Sequence, residues 1–300
     1  MAKILLHCPL NISRTIVQMM EEFCMQLKEK YGIDVLVETQ PHRADEKSLF
    51  KSYAEKGELP DLVVGHVDDF ADLTKEYITE HFQSLPDRFP LRKELDDIGF
   101  KDSEGYFHPF VIIPFATFYN QNLLTEDDIP RSWEDLLDDR WAGRILMPDE
   151  FRIVSVVIKS CMKADFPDKF DNFGKNFIHH GNPMEIVTAV DEGEYPIGIT
   201  NIAFARISRN KNTRIIWPED GLFCMPQVMV WSKKAPEPLF EAGSFLMSPK
   251  VQEYLALQSF IPVSKDVPMP LLITKNNCSM RWKGWDTFLK IVKGRHDQPQ

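Results

Sequence analysis

The sequence predicts an α/β protein of two lobes joined by two crossover strands, with a ligand cleft between the lobes. Three observations predict it. Short apolar runs of strand length alternate with amphipathic helical patterns through the first 65 residues, and again from about 115 to 225. Two longer apolar stretches, 110–119 and 223–231, bracket the second α/β unit, and a proline interrupts each, Pro114 and Pro226. The chain has 300 residues, 43% of them hydrophobic, which is ample material for two cores. A chain that passes between lobes twice accounts for all three. The expected division is 1–110 plus 230–300 for the first lobe and 111–229 for the inserted second.

The elements follow in order. Lys3-Ile4-Leu5-Leu6-His7 is a strand, and after the turn at Pro9-Leu10-Asn11 apolar residues recur at Ile16, Met20, Phe23 and Leu27. That spacing is one face of a helix, with Asn11 or Ser13 as its cap and Gly32 as its stop. A strand over 33–37, a charged helix over 45–56 and a strand over 62–65 complete a parallel unit with right-handed crossovers. In the second unit, helices are expected at 132–137, 153–162, 168–177 and 183–192, the first capped by Ser132 and the last by Asn182. Strands are expected at 144–147 and 196–200, followed by a helix opening near Asn201. Phe115, Phe118 and Tyr119 read as packed core at the crossover. Helices at 237–247 and 249–259 and the run 261–264 follow, and the tail beyond Lys293 is polar.

Composition narrows the function. The chain carries 35 basic and 45 acidic side chains for a net charge of −10, so no basic face is available for nucleic-acid phosphates. Cys8, Cys24, Cys161, Cys224 and Cys278 are odd in number and far apart, which suits free thiols better than a disulfide framework. The run Ile4-Leu5-Leu6 is too short for the apolar core of a secretory leader, and no stretch reads as a membrane span. The expected location is therefore the periplasm or cell exterior if a leader has been trimmed, and the cytoplasm if Met1 is the native start.

No nucleotide-binding, nucleophile-elbow or zinc-protease motif is present. Ligands of open α/β sheets bind beyond the carboxyl ends of the strands, where helix N-termini expose unpaired N–H groups. Four such junctions occur: His7 to Ser13, Gly65 to Asp69, Asp149 to Arg152 and Thr200 to Asn201. If the lobes face each other, the four turns converge. The expected ligand contacts are His7, Pro9, Leu10, Asn11, Gly65, His66, Glu150, Phe151, Arg152, Asn201 and Met225, with 224–227 lining the cleft. His66 is placed either to touch a ligand or to cap a turn. Arg152 opposes the dipole of the helix it opens, which points to an anionic partner. Asp68 and Asp69 read as ordinary dipole complements, Asn201 as a cap that can also meet a ligand, and His179-His180 as residues near a helix end. Cys8 neighbours His7, but adjacent strand residues face opposite ways.

These residues resemble a known family. Pro60-Asp61-Leu62-Val63-Val64-Gly65 resembles a strand of type II solute-binding proteins of ABC transporters. His108-Pro109-Phe110 through Phe118-Tyr119-Asn120, and Ile129-Pro130-Arg131-Ser132-Trp133-Glu134-Asp135-Leu136-Leu137 continuing to Trp141-Ala142-Gly143-Arg144-Ile145, are similar to a run of the iron(III)- and polyamine-type members. Glu192-Gly193-Glu194-Tyr195-Pro196, Pro218-Glu219-Asp220-Gly221 and Phe245-Leu246-Met247-Ser248-Pro249 extend the similarity, which spans about 60–264. The resemblance implies the type II periplasmic-binding-protein fold and a non-catalytic receptor that closes on a small molecule by hinge motion. It implies a monomer that hands its ligand to an ABC permease, with no nucleic-acid partner and no cofactor. Iron(III)-binding relatives place two adjacent tyrosines around 201–206, where this chain reads Asn201-Ile202-Ala203-Phe204-Ala205-Arg206. An anion or a metal chelate is the favoured ligand. A cytosolic ligand sensor and an enzyme using His66 with Cys8 are the alternatives, along with a metal site of His7, Cys8 and His66.

Overall fold

The computed structural model describes residues 1–40 and 48–293. Its strands are β1 (Ala2–Leu6), β2 (Val35–Thr39), β3 (Leu62–His66), β4 (His108–Asn120), β5 (Ile145–Met147), β6 (Phe177–His179), β7 (Ile197–Asn201), β8 (Thr213–Ile216), β9 (Leu222–Trp231), β10 (Ile261–Pro262) and β11 (Met280–Arg281). They form one sheet in the order β2-β1-β3-β9-β4-β7-β5-β6, with β8 and β10 on β4 and β11 on β9. The pairs β1–β2, β1–β3, β5–β6 and β5–β7 are parallel, as strand–helix–strand units require.

The two long apolar strands join the halves. The first part of β4 pairs with β9, and from Phe115 onward β4 pairs with β7 and β8 instead. On its other edge β9 pairs with β3, with Leu62 opposite Trp231 and His66 opposite Gln227. At the crossing Ile112 faces Pro226 and Pro114 faces Cys224. Neither proline has an N–H to offer the ladder where the chain changes halves. Phe115 and Phe118 are buried there, as expected of crossover core.

Several elements differ from expectation. The first helix runs Leu10–Tyr31 from Pro9, ahead of Asn11 and Ser13, because proline's fixed φ suits a helix entry. Gly32 ends it in the left-handed conformation, φ 69°. The helix expected over 45–56 is seen as Leu49–Lys56, and 45–47 lie outside the described residues, as does the tail beyond 293. The run 168–177 is not one helix. It is a 3-10 segment Pro167–Asn172 and a single turn Phe173–Asn176, followed by β6. His179 therefore lies on an edge strand, with Nδ1 2.9 Å from the Pro148 carbonyl, and not at a helix end. All five cysteines are free, four of them buried.

Candidate ligand-binding site

The carboxyl ends of β1 and β3 bring His7 and His66 together. His7 stays on the sheet by donating its backbone N–H to the Val64 carbonyl at 2.7 Å. Its ring stacks on His66 with centroids 4.6 Å apart and planes within 7°. The His7 Nδ1 lies 2.7 Å from Asp69 Oδ2, and the same oxygen accepts the His66 backbone N–H at 3.0 Å. Asp69 gets there because the chain turns sharply after β3 into the 3-10 segment Val67–Phe70. Gly65 leaves it room, since a Cβ at position 65 would sit 2.8 Å from Asp69 Oδ2. The Asp68 carboxylate is fully buried, 4.0 Å from the His66 Nδ1. Gln227 reaches over from β9 and donates its amide to the His7 carbonyl. That bond fixes which way the amide points and leaves Gln227 Oε1, a buried acceptor, with no hydrogen-bond partner among the described residues. Asp68 and Asp69 thus contact the histidines and do more than complement a helix dipole.

Pro9, Leu10 and Asn11 open the long helix. No side chain caps it and no acidic residue stands in its first turn, so its end keeps unscreened positive character. Asn11 Oδ1 is buried and has no hydrogen-bond partner among the described residues. Leu10 is exposed and faces a groove of about 510 Å³ along the helix, with Arg14, Val17 and Thr39. That groove does not reach the histidine pair, so Leu10 belongs to the helix flank. Cys8 is wholly buried, and desolvation pushes its thiol up to about 12. It is neither a thiolate nucleophile nor a ready metal ligand at neutral pH.

The second half contributes its own strand ends. After β5 the turn is held by Gly181 N–H donating to Asp149 Oδ1 at 2.7 Å and Arg152 N–H donating to the Asp149 carbonyl at 2.9 Å. Arg152 is the N-cap of helix Ile153–Asp165, which also lacks a side-chain cap and a first-turn acid. Its guanidinium lies 5.2 Å from the centre of the Phe151 ring. Glu150 is exposed, 4.0 Å from Lys159. Asn201 accepts the Phe204 N–H at 3.1 Å and so caps the short helix Ile202–Ala205, as its position after β7 predicts. Thr200 Oγ1 beside it is buried with no hydrogen-bond partner among the described residues. Met225 is buried in β9 at the crossing, opposite Ile113. The structure thus places His7, Gly65 and His66 in direct contact with Asp69 and Gln227. Residues 150–152 and 201 lie on the other half, reached through β4 and β9.

The sequence places Asp69 and Gln227 on segments expected to line the cleft, 65–69 and 224–227, without singling out either as a ligand contact. Gln227 had a signal, being the one polar side chain in the apolar run Leu222–Trp231. Among the described residues, no three His, Cys, Asp or Glu side chains are grouped to hold a metal ion. None of the described helices is long and apolar enough to cross a membrane.

Residues 57–290 match the family model for bacterial extracellular solute-binding proteins, and the chain belongs to that family. No curated protein matches it in sequence. Solved structures agree on the fold. A ferric binding protein from Campylobacter jejuni superposes with a TM-score of 0.73 at 16% identity, over 99% of this chain and 98% of that one. A Trichodesmium protein in complex with iron and citrate ligands gives 0.69 at 16%, over 99% and 96%. An ABC transporter protein from Clostridium perfringens gives 0.68 at 17%, over 99% and 96%. The two-lobed α/β architecture read from the sequence is that of these type II binding proteins, and the chain is a solute-binding protein.

Proposed function

We propose that this protein captures a small anion or metal chelate between its two lobes by hinge closure, without catalysis, and delivers it to an ABC permease outside the cytoplasm. The lobes are 1–110 with 230–300, and 111–229. One observation carries the reading: the helices Leu10–Tyr31 and Ile153–Asp165, one on each half of the sheet, both begin at strand ends with no capping side chain and no acid in the first turn. Uncapped N-termini of helices that long favour negative charge, and Arg152 adds a formal positive one. The buried acceptors Asn11 Oδ1 and Gln227 Oε1 favour a ligand that also brings hydrogen-bond donors, such as a hydroxyl or a metal-bound water. A hydroxycarboxylate chelate of iron has both properties. The chelate is preferred to a bare ferric ion because 201–206 contain no tyrosine to bind the metal directly.

Native mass spectrometry of freshly isolated protein, followed by melting with ferric citrate, citrate and phosphate, tests this. A bound species at one hundred times its Kd adds about 2.7 kcal/mol, which raises the Tm by about 4 °C in a chain of this size. Ferric citrate should do so and should lower the radius of gyration in small-angle scattering; Arg152→Ala should weaken both effects. If none of the three probes moves the Tm and no mass is retained, the reading fails.

A further inference from the structure

The C-terminal segment crosses from one half of the molecule to the other residue by residue. β11 lies parallel to β9 beside Leu222 and Phe223. Arg281 Nη2 is 2.6 Å from Asp165 Oδ2, at the far end of the helix that Arg152 opens. Its other nitrogen pairs with Asp220, which in turn accepts the Trp133 backbone N–H. Lys283 pairs with Asp165 as well. Trp282, between them, and Trp285, just beyond, turn the opposite way. Trp282 stacks on Phe100 at 5.0 Å and 18° and donates its indole N–H to the Gly99 carbonyl at 3.1 Å. Trp285 stacks on Phe107 at 5.4 Å and 10°. The helix Trp285–Val292 then packs on both sides, against Val67–Phe70 next to His66 and against Ile153–Asp165. Asp165, Trp133 and Asp220 belong to the half built on β5 and β7; Phe100, Phe107 and Val67–Phe70 belong to the half built on β1 and β3.

We infer that residues 280–292 form a strap that sets the angle between the lobes, by anchoring Arg281 and Lys283 to one and Trp282 and Trp285 to the other. The inference rests on the two-lobe reading but on no particular ligand. Beside the strap, β4 and β9 are the connection between halves, and each carries at the crossing a proline, which offers no N–H to the ladder. The ion pairs are largely shielded, with side chains of Arg281, Lys283 and Asp165 only 24%, 20% and 13% exposed, and so are less screened than surface pairs. Any change of lobe angle must break either the aromatic or the ionic anchors.

The test uses ligand-free protein, which separates its failure from failure of the ligand assignment. A ketone-bearing unnatural amino acid at the exposed positions Lys56 and Lys175 takes spin labels without using the cysteines. Pulsed electron resonance then reads the spread of distances between halves. Arg281→Ala releases one anchor and Trp285→Ala the other. With helicity retained, each should at least double the width of the distance distribution, while Arg281→Lys and Trp285→Phe should stay closer to the parent. If one alanine variant fails to fold, the other still decides. A parental width in a folded Arg281→Ala or Trp285→Ala protein overturns the inference.

Discussion

At the scale of single residues, the histidine pair depends on a missing side chain. A methyl group at Gly65 would press on Asp69 Oδ2 at 2.8 Å, and the acid cannot retreat without leaving both His7 and the His66 N–H. Gly65→Ala is therefore expected to cost about 1–3 kcal/mol as overpacking in a rigid turn. Urea midpoints of Gly65→Ala, Asp69→Ala and the double variant check it, because the clash should shrink once the carboxylate is gone. Additive losses would mean that the methyl strains something else. His7 and His66 were legible in the sequence because each closes a predicted strand. The link of His7 to Asp69 was not, since it spans 62 residues, and the His7–Gln227 bond spans 220. Contacts that distant leave no periodic trace. A second residue, His108, is expected to govern acid stability. It is buried against Phe89 and Trp231, and desolvation lowers its pKa from 6.5 to about 4. The unfolded chain thus binds a proton between those values that the folded one refuses. Stability is unaffected above pH 6.5 and falls as pH drops toward 4, by about 3 kcal/mol in total. Urea unfolding of wild type and His108→Gln at pH 7 and 4.5 should show a smaller acid loss in the variant.

At the scale of elements, the long helices and strands are readable and so is the short β5, whereas β6, β8, β10 and β11 are not. The helix Leu10–Tyr31 shows six turns of spacing, and β4 and β9 are long and mostly apolar, so each announces its type. β6 has three residues, β10 and β11 two each, too few for a period to form, and their identity comes from the neighbour they pair with. Only the first residue of β6, Phe177, falls in the helix expected over 168–177, and Phe173 and Phe177 stack at 4.1 Å across that boundary at an i, i+4 spacing. The helix Pro183–Glu192 was placed correctly because its Asn182 signal is chemical. Asn182 Oδ1 accepts the Met184 N–H at 2.9 Å and the Glu185 N–H at 3.3 Å. How that helix seats on β7 yields a prediction. A Cβ on Gly198 would lie 2.5 Å from Phe118 Cζ and 2.9 Å from Val190 Cγ2, so the helix approaches the strand only because position 198 has no side chain. Gly198→Ala should destabilise by about 1–3 kcal/mol, with an unchanged urea m-value. Adding Phe118→Leu should recover part of the loss; no recovery would place the strain in the helix instead.

At the scale of the whole molecule, charge and site pull in opposite directions. The net charge of −10 repels an anion from a distance, whereas the proposed site, with Arg152 and two helix N-termini, would attract it nearby. The ranges differ, and salt separates them. The screening length falls from about 30 Å at 0.01 M to about 8 Å at 0.15 M, so the repulsion that meets an approaching ligand collapses first. Contacts inside the proposed closed cleft would lie within a few ångströms and in a less polar medium, where salt reaches poorly. For ferric citrate, association is therefore expected to speed up about twofold or more over that range, with a smaller change in dissociation. Stopped-flow tryptophan fluorescence measures both rates. A receptor steered by its site would behave in the reverse way, slowing as salt rises. That result would mean that the cleft's own field extends past the acidic surface, and that overall charge does not govern capture.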